Sequence, residues 1–374
     1  MYRNTDEKQP DALEQILALR PEDAKDIAPK KVDNLYNRMK GAVIGRCAGC
    51  TLGVPVEGWP VLNMIDWAIR TNTPFPPTDY WERPSRPEDL QYRVSPRKKY
   101  SKMGMVDVPV DDDITYMILN LLLLEKYGKN YTVDDVGKLW LDVLPYACTA
   151  EDEALHQLTY GTAPEHAADF NGYVEWIGAA IRADAFGYAC AGDPEQAAKL
   201  SYNDAYLSHR KNGIYGEMFC AAAIAAAFTA ESPLEALKIG AKMIPAESEL
   251  YQALEWAFSM EGEFETYAKA RMLIDEKFGN MHKVHTINNM CCIVFGIMLG
   301  GKDITKCLAE TVAIGLDNDC TGATVGSIVG ANIGFENIPE HWYKNFNDTI
   351  ETYITGLPTI SIEDAVNRYI NLNK

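Results

Sequence analysis

The chain predicts an all-α fold. Three observations carry that reading. Long stretches place Ala, Leu and Ile at helical spacing, several of these open with helix-start signals, and no convincing run alternates as a strand would. The composition is globular: 374 residues, 47% hydrophobic and 24% charged. No internal repeat is visible, so one compact helical domain is expected.

In chain order, residues 1–32 read as a loosely ordered leader with one short helix in "DALEQILALR". Residues 33–374 read as a single helical domain. Helices are predicted over 34–53, 114–127, 132–144, 172–189, 194–200, 215–230, 233–243, 250–258, 264–278, 286–299, 304–314 and 321–333. "SPLEALK" puts Pro233 at the first helical position after Ser232, and "GDPEQAAK" puts Pro194 after Asp193. "YTVDDVGKLW" offers Thr132 as a cap with Asp135 three residues on. Residues 70–102 break the pattern with six prolines, Tyr80, Trp81, Tyr92 and the basic run "RVSPRKKYSK". A stretch that long and that rich in Pro is either a lid or binding loop or a solvent-exposed insertion.

Two helices, "GAVIGRCAGCTLGVPVEGW" and "TGATVGSIVGANIG", are studded with Gly and Ala. Gly in a helix interior costs about 1 kcal/mol relative to Ala. Repeated Gly therefore implies a compensating gain, most simply backbones packed very close together.

Charge limits the partners. The formal net charge is -18, which argues against nucleic acid and against an anionic membrane surface. An anionic substrate would need a bound cation or a local basic patch. No segment reads as a membrane span, and the charged, polar start "MYRNTDEKQPDALEQ" is unlike a secretory signal. The nine cysteines follow neither zinc nor disulfide spacing and lie mostly in apolar stretches, as reduced core residues of a cytoplasmic protein would.

The candidate chemistry lies in two acidic helix starts. Asp111, Asp112 and Asp113 stand in a row ahead of an apolar helix. A helix N-terminus welcomes one or two carboxylates; three exceed what capping needs, and the remainder wants a cation. Mg²⁺ is a hard cation that takes such oxygen ligands. A second cluster, "GLDNDCTGATVGS", places Asp317 and Asp319 ahead of another small-residue helix, with Cys320 and Thr321 following. If a helical bundle brings the two together, they could hold two adjacent cations. Alternatives fit less well. "DNDCTG" matches the first half of a calcium EF-hand loop, but Ile328 stands where the bidentate Glu belongs. Asp-rich prenyl-diphosphate enzymes repeat their acids one turn on, where this chain has Thr115 and Tyr116. Simple capping of a binding or scaffold protein is the plainest alternative. Glu57, in "LGVPVEGW", is a third acidic candidate.

Taken in order, "GAVIGRCAGCTLGVPVEGW", "DDDITYMIL", "KNGIYGEMFCAAAIAAAF", "HTINN" and "GLDNDCTGATVGSIVGANIG" resemble the ADP-ribosylglycohydrolase family, relatives of the dinitrogenase-reductase-activating glycohydrolases and the J1 crystallins. The likeness spans about 39–334. It implies an all-helical fold, a dinuclear Mg²⁺ site, and hydrolysis of ADP-ribosyl or related ribosyl bonds. The partner would be an ADP-ribose-type small molecule or an ADP-ribosylated protein. By position, the family's Thr-Asp-Asp metal motif falls on Asp111, Asp112 and Asp113, and its later Asp-x-Asp-Thr/Ser motif on Asp317, Asp319 and Cys320. The Glu beside the metals and the reacting ribose falls on Glu57. Proton transfer is assigned to Glu57 or Asp113.

The sequence departs from the family at three places: Asp111 replaces Thr, Ile114 stands where Thr often follows, and Cys320 replaces a hydroxyl residue. A thiol suits Mg²⁺ poorly, so Mn²⁺ or a softer ion would compete better, unless Thr321 supplies a hydroxyl instead. Asn212 and Gly213 are expected to shape a loop by the ligand, and aromatic residues of 70–102 to stack on adenine. His156, His209 and His285 read as packed residues.

Overall fold

A computed structural model describes residues 4–374. The described residues contain sixteen α-helices, seven short 3₁₀ segments and two small two-stranded sheets. At the centre lie two helices, Leu35–Gly53 and Asn318–Ile333, buried along nearly their whole length. Their glycines explain how they meet. Gly41 faces Gly330, Gly45 faces Gly326, Gly49 faces Gly322, and Gly53 lies on the backbone of Asp319. A Cβ at any of these four positions of the first helix would sit under 3.0 Å from the other helix's backbone. The helices therefore touch backbone to backbone, the compensation that the repeated glycines imply.

The helix Asn212–Ala227, "NGIYGEMFCAAAIAAA", is buried on every side, as a helix without a polar face must be. Pro194–Ser208, Pro233–Ala241 and Asp184–Ala189 pack around it. Caps stand at the expected positions: Thr132 forms a capping box with Asp135, Asp193 accepts from the Gln196 N–H, and Ser232 accepts from the Glu235 N–H.

Several expectations need correction. The described part of the leader, residues 4–32, is docked rather than loose. Ile16 is fully buried, the Tyr202 hydroxyl donates to the Asp11 carbonyl, and the Lys211 N–H donates to the Asp11 carboxylate. The helix expected over 172–189 is broken into a 3₁₀ segment, Ile177–Arg182, and a short helix, Asp184–Ala189. The Ile177 N–H is drawn to the Val284 carbonyl, which takes it out of any helical ladder. The 70–102 segment is not a plain solvent-exposed insertion. Tyr80 and Trp81 are buried, with the Trp81 indole N–H donating to the Leu52 carbonyl and the Tyr80 hydroxyl to that of Trp342. Those two aromatics are core, not faces for a base to stack on.

A hairpin that sequence reading missed pairs Thr349–Ile354 with Leu357–Ser361. Its first strand reaches the acidic segment: the Val108 N–H donates to the Thr349 carbonyl and the Glu351 N–H donates back to Val108. The chain is thus held extended just ahead of Asp111. Amphipathic helices Val61–Thr71, Thr149–Thr159 and Ile362–Leu372 were also missed. In the last, Ile362, Ala365, Val366 and Tyr369 are the buried face, a helical spacing visible in the sequence.

The backbone contact makes a quantitative prediction. Gly45→Ala must push the two central helices apart and should cost about 1–3 kcal/mol or more. Gly172, with nothing within 4 Å of its Cβ position, is the control; Gly172→Ala should stay within about 0.5 kcal/mol of wild type. Urea unfolding of both variants checks it, and equal stabilities would contradict the packing.

Candidate active site

The glycine contact sets the site. Gly53, at the end of one central helix, lies on the first turn of the other, and the chain then turns through Val54–Val56 to present Glu57 beside Asp319. The third contributor is the helix Asp112–Tyr127, whose cap is Asp111: its carboxylate accepts from the Asp113 N–H at 3.1 Å. Arg46, buried at the middle of the first central helix, holds that start in place. Its guanidinium donates to the Asp113 carbonyl at 2.7 Å and lies 3.3 Å from the Asp113 carboxylate and 2.6 Å from that of Asp184.

The two acidic helix starts therefore converge. Side-chain ligand atoms fall into three overlapping groups, each within 4.8 Å: Cys50 with Asp111 and Asp113; Asp113 with Asp319 and Cys320; Glu57 with Asp317 and Asp319. Asp111, Asp113 and Asp319 are buried, and each has one buried carboxylate oxygen without a hydrogen-bond partner. Buried carboxylate oxygens this close together and without donors are a set that a cation could hold to. Oxygens from Glu57, Asp317 and Asp319 suit a hard ion such as Mg²⁺; the groups containing Cys50 and Cys320 are mixed in character.

The remaining predicted residues divide. Asp112 is half-buried at the rim and accepts from the Tyr92 hydroxyl at 2.6 Å. Tyr92 comes from the Pro-rich segment, holds a left-handed backbone at φ 49°, and packs against Tyr146 and Tyr353. Thr321 is buried, and its hydroxyl donates back to the Asp317 carbonyl at 3.0 Å, so its proton is turned to the helix rather than the cluster. Asn212 and Gly213 are not brought to the acidic cluster by any of their contacts. Asn212 bonds Gln9, Glu175, Glu249 and the Leu250 N–H, and Gly213 lies against Val174 and His209. Their role is to tie the leader and two helix starts together. His209 is buried and bonded to Ser208, His285 caps the helix Thr286–Gly300, and His156 is exposed near Asp152.

Sequence reading missed three contributors and gave a fourth, Tyr92, another role. Arg46 is the one charge in the small-residue stretch 41–53 of its helix, and a charge there has to be paired; that was the available signal. Asn289 accepts from the Asp317 N–H at 3.1 Å, and only the "HTINN" motif hinted at it. Cys50 carried no signal of its own, because its relevance depends on what faces it; Tyr92, expected among the aromatics that stack on adenine, instead bonds Asp112 through its hydroxyl.

Electrostatics follow from the crowding. Burial and neighbouring charges push Asp111 and Asp319 well above the usual carboxylate range. Burial, opposed by Arg46, raises Asp113 to about 7, and burial with the Glu57 charge raises Asp317 to about 7. Glu57 rises to about 8, chiefly through the charge of Asp319; its side chain opens to solvent, so repulsion outweighs burial as the cause. Arg97 and Lys283 stand close enough to Glu57 to oppose that rise.

The family model for ADP-ribosylglycohydrolase matches residues 31–370. The chain belongs to the ADP-ribosylglycohydrolase family. Among solved structures, one described as an ADP-ribosylglycohydrolase-related protein complex aligns with this family member at a TM-score of 0.59 and 17% identity, covering 91% of this chain and 98% of that one. At that identity the likeness is one of fold. No curated protein matches the chain. No helix among the described residues of this ADP-ribosylglycohydrolase family member is long and apolar enough to cross a membrane.

The raised carboxylates predict a pH dependence in chelator. Folded Asp113, Asp317 and Glu57 hold protons up to about 7, 7 and 8, while unfolded carboxyls release theirs near 4. Their contribution to stability is therefore full below about pH 4 and is lost as the pH rises toward 8. Asp319→Asn relieves this repulsion. Its cation-free melting temperature should overtake that of wild type, with a gap widening from about pH 5 to about pH 8. A gap independent of pH would contradict the crowding.

Proposed function

We propose that this chain hydrolyses the bond at the ribose anomeric carbon of an ADP-ribosyl or related ribosyl adduct, with Mg²⁺ or Mn²⁺, as one or two ions, in the acidic cluster. The observation that carries this reading is the convergence of Asp111, Asp113, Asp317 and Asp319, with an unpartnered buried oxygen on Asp111, Asp113 and Asp319, beside a solvent-facing Glu57. Membership of a glycohydrolase family supports it.

Cleavage at an anomeric carbon develops oxocarbenium character, so the site must orient the sugar, supply water and manage a proton. Bound cations would hold ribose hydroxyls and acidify a water. Asp111, Asp113, Asp317 and Asp319 would hold them, with Asp112 at the rim. Arg46 keeps Asp113 aimed by pinning both its carbonyl and its carboxylate. Proton transfer goes to the carboxyl of Glu57 rather than to Asp113. Glu57 faces solvent, whereas Asp113 is fully buried and faces Arg46. Arg97 and Lys283 near Glu57 give an anionic pyrophosphate a local basic approach on a chain of net charge -18.

A second reading keeps the site but not the turnover: a ligand-binding or structural member of the family. The two thiols among the carboxylates favour it, because they depart from an all-oxygen site. Release of ADP-ribose from modified arginine, serine or a small analogue separates the two. Under the first reading, Asp112→Asn and Asp319→Asn abolish a Mg²⁺- or Mn²⁺-dependent release while the far-ultraviolet circular dichroism is unchanged. Wild-type protein that binds ADP-ribose but never releases it from an adduct supports the second reading. Full activity in either variant would show that the ligands are wrongly assigned.

A further inference from the structure

Two thiols each group with one shared carboxylate, that of Asp113. The Cys50 sulfur groups with oxygens of Asp111 and Asp113 within 4.8 Å, and the Cys320 sulfur with oxygens of Asp113 and Asp319 within the same limit. Both cysteines are buried, at 1% and 6% exposure. A buried cysteine is ordinarily a small hydrophobic residue, and Cys47, Cys190, Cys220, Cys291, Cys292 and Cys307 fit that description. Cys50 and Cys320 differ in their company. Asp111, Asp113 and Asp319, between and beside them, each carry a buried oxygen with no hydrogen-bond donor. The placement is rigid. Cys50 lies between Gly49 and Gly53, which rest on the backbone of Gly322 and Asp319, and Cys320 sits in that same turn.

Resting on the cation-site reading above, we propose that the thiol-bearing end of this cluster, around Asp113, selects a borderline or thiophilic divalent cation, such as Zn²⁺, Co²⁺ or Fe²⁺, over Mg²⁺, with Cys50 and Cys320 as thiolate ligands, while the all-oxygen group of Glu57, Asp317 and Asp319 keeps Mg²⁺ or Mn²⁺. Mg²⁺ gains little from sulfur and dehydrates reluctantly. Zn²⁺ and Co²⁺ gain from thiolate, and the same carboxylates complete a mixed sulfur–oxygen set. Binding costs each thiol its proton: the S–H bond breaks, the proton leaves to solvent, and the sulfur lone pair forms the metal–sulfur bond, with no change of oxidation state.

The test is titration of the chelator-treated full chain with Co²⁺, followed by calorimetry and by the near-ultraviolet thiolate-to-Co(II) charge-transfer band. Wild type should show the band, and excess Mg²⁺ should fail to remove it. Cys50→Ser and Cys320→Ser should each weaken it and lower Co²⁺ affinity roughly tenfold or more; the double variant should lose it. Cys148→Ser, outside the three groups, should keep it. Cys320→Thr should tighten Mg²⁺ binding. Co²⁺ binding in wild type without the band, or a band that survives in the double variant, overturns the thiolate assignment and leaves the cation site standing. Failure of every divalent cation to bind overturns both. The wild-type spectrum decides even if a variant does not fold.

Discussion

The structure depends on a contact between two backbones. Four glycines of Leu35–Gly53 rest on Asn318–Ile333, with glycine facing glycine at three of the four crossings. Side chains would hold these helices apart. Without them, the end of one helix lies on the start of the other, and that junction carries Asp317, Asp319 and Cys320 on one side and Cys50 and Glu57 on the other. The helix-propensity cost of the glycines is offset by packing that no other residue allows. Arg46, on the same helix, extends the arrangement to a third element by fixing the start of Asp112–Tyr127. One close approach thus assembles the acidic side chains from segments far apart in the chain.

That assembly is electrostatically unfavourable by itself. Buried carboxylates face one another with few donors, and their acidity is suppressed accordingly. A fold that only needed stability would place apolar or paired groups there. Crowded buried carboxyls at a close backbone junction are what a cation would need, and a bound cation would favour their charged forms. Glu57 sits where this interior meets solvent, beside the basic groups Arg97 and Lys283, so the proposed cation site, proton-transfer group and anion approach are contiguous.

Much of this was legible in the sequence. The helical class, most helices and the caps at Thr132, Asp193 and Ser232 follow from local signals that need no tertiary information. The glycine spacing announced a close contact but not its partner. The acidic pairs announced themselves because three adjacent carboxylates exceed what a helix start needs. Other features depended on long-range geometry. The 172–189 helix was interrupted when Ile177 bonded Val284 across the fold. The Thr349–Ile354 strand is short and half-alternating, and gains its meaning only by bonding Val108. Asn212 looked ligand-facing from its motif, yet its bonds go to Gln9, Glu175 and Glu249. Cys50 looks like any small core residue until Asp111 and Asp113 are placed opposite it.

The central claim is that the junction of these helices holds cations that engage the ribose of the substrate. Crystals soaked with Mn²⁺ and ADP-ribose, measured for anomalous scattering, test it most directly. The account predicts anomalous peaks enclosed by Asp111, Asp113, Asp317 and Asp319, with ribose hydroxyls against them and Glu57 beside the anomeric carbon. ADP-ribose bound elsewhere, or bound in this cleft with no anomalous peak among those carboxylates, would contradict it.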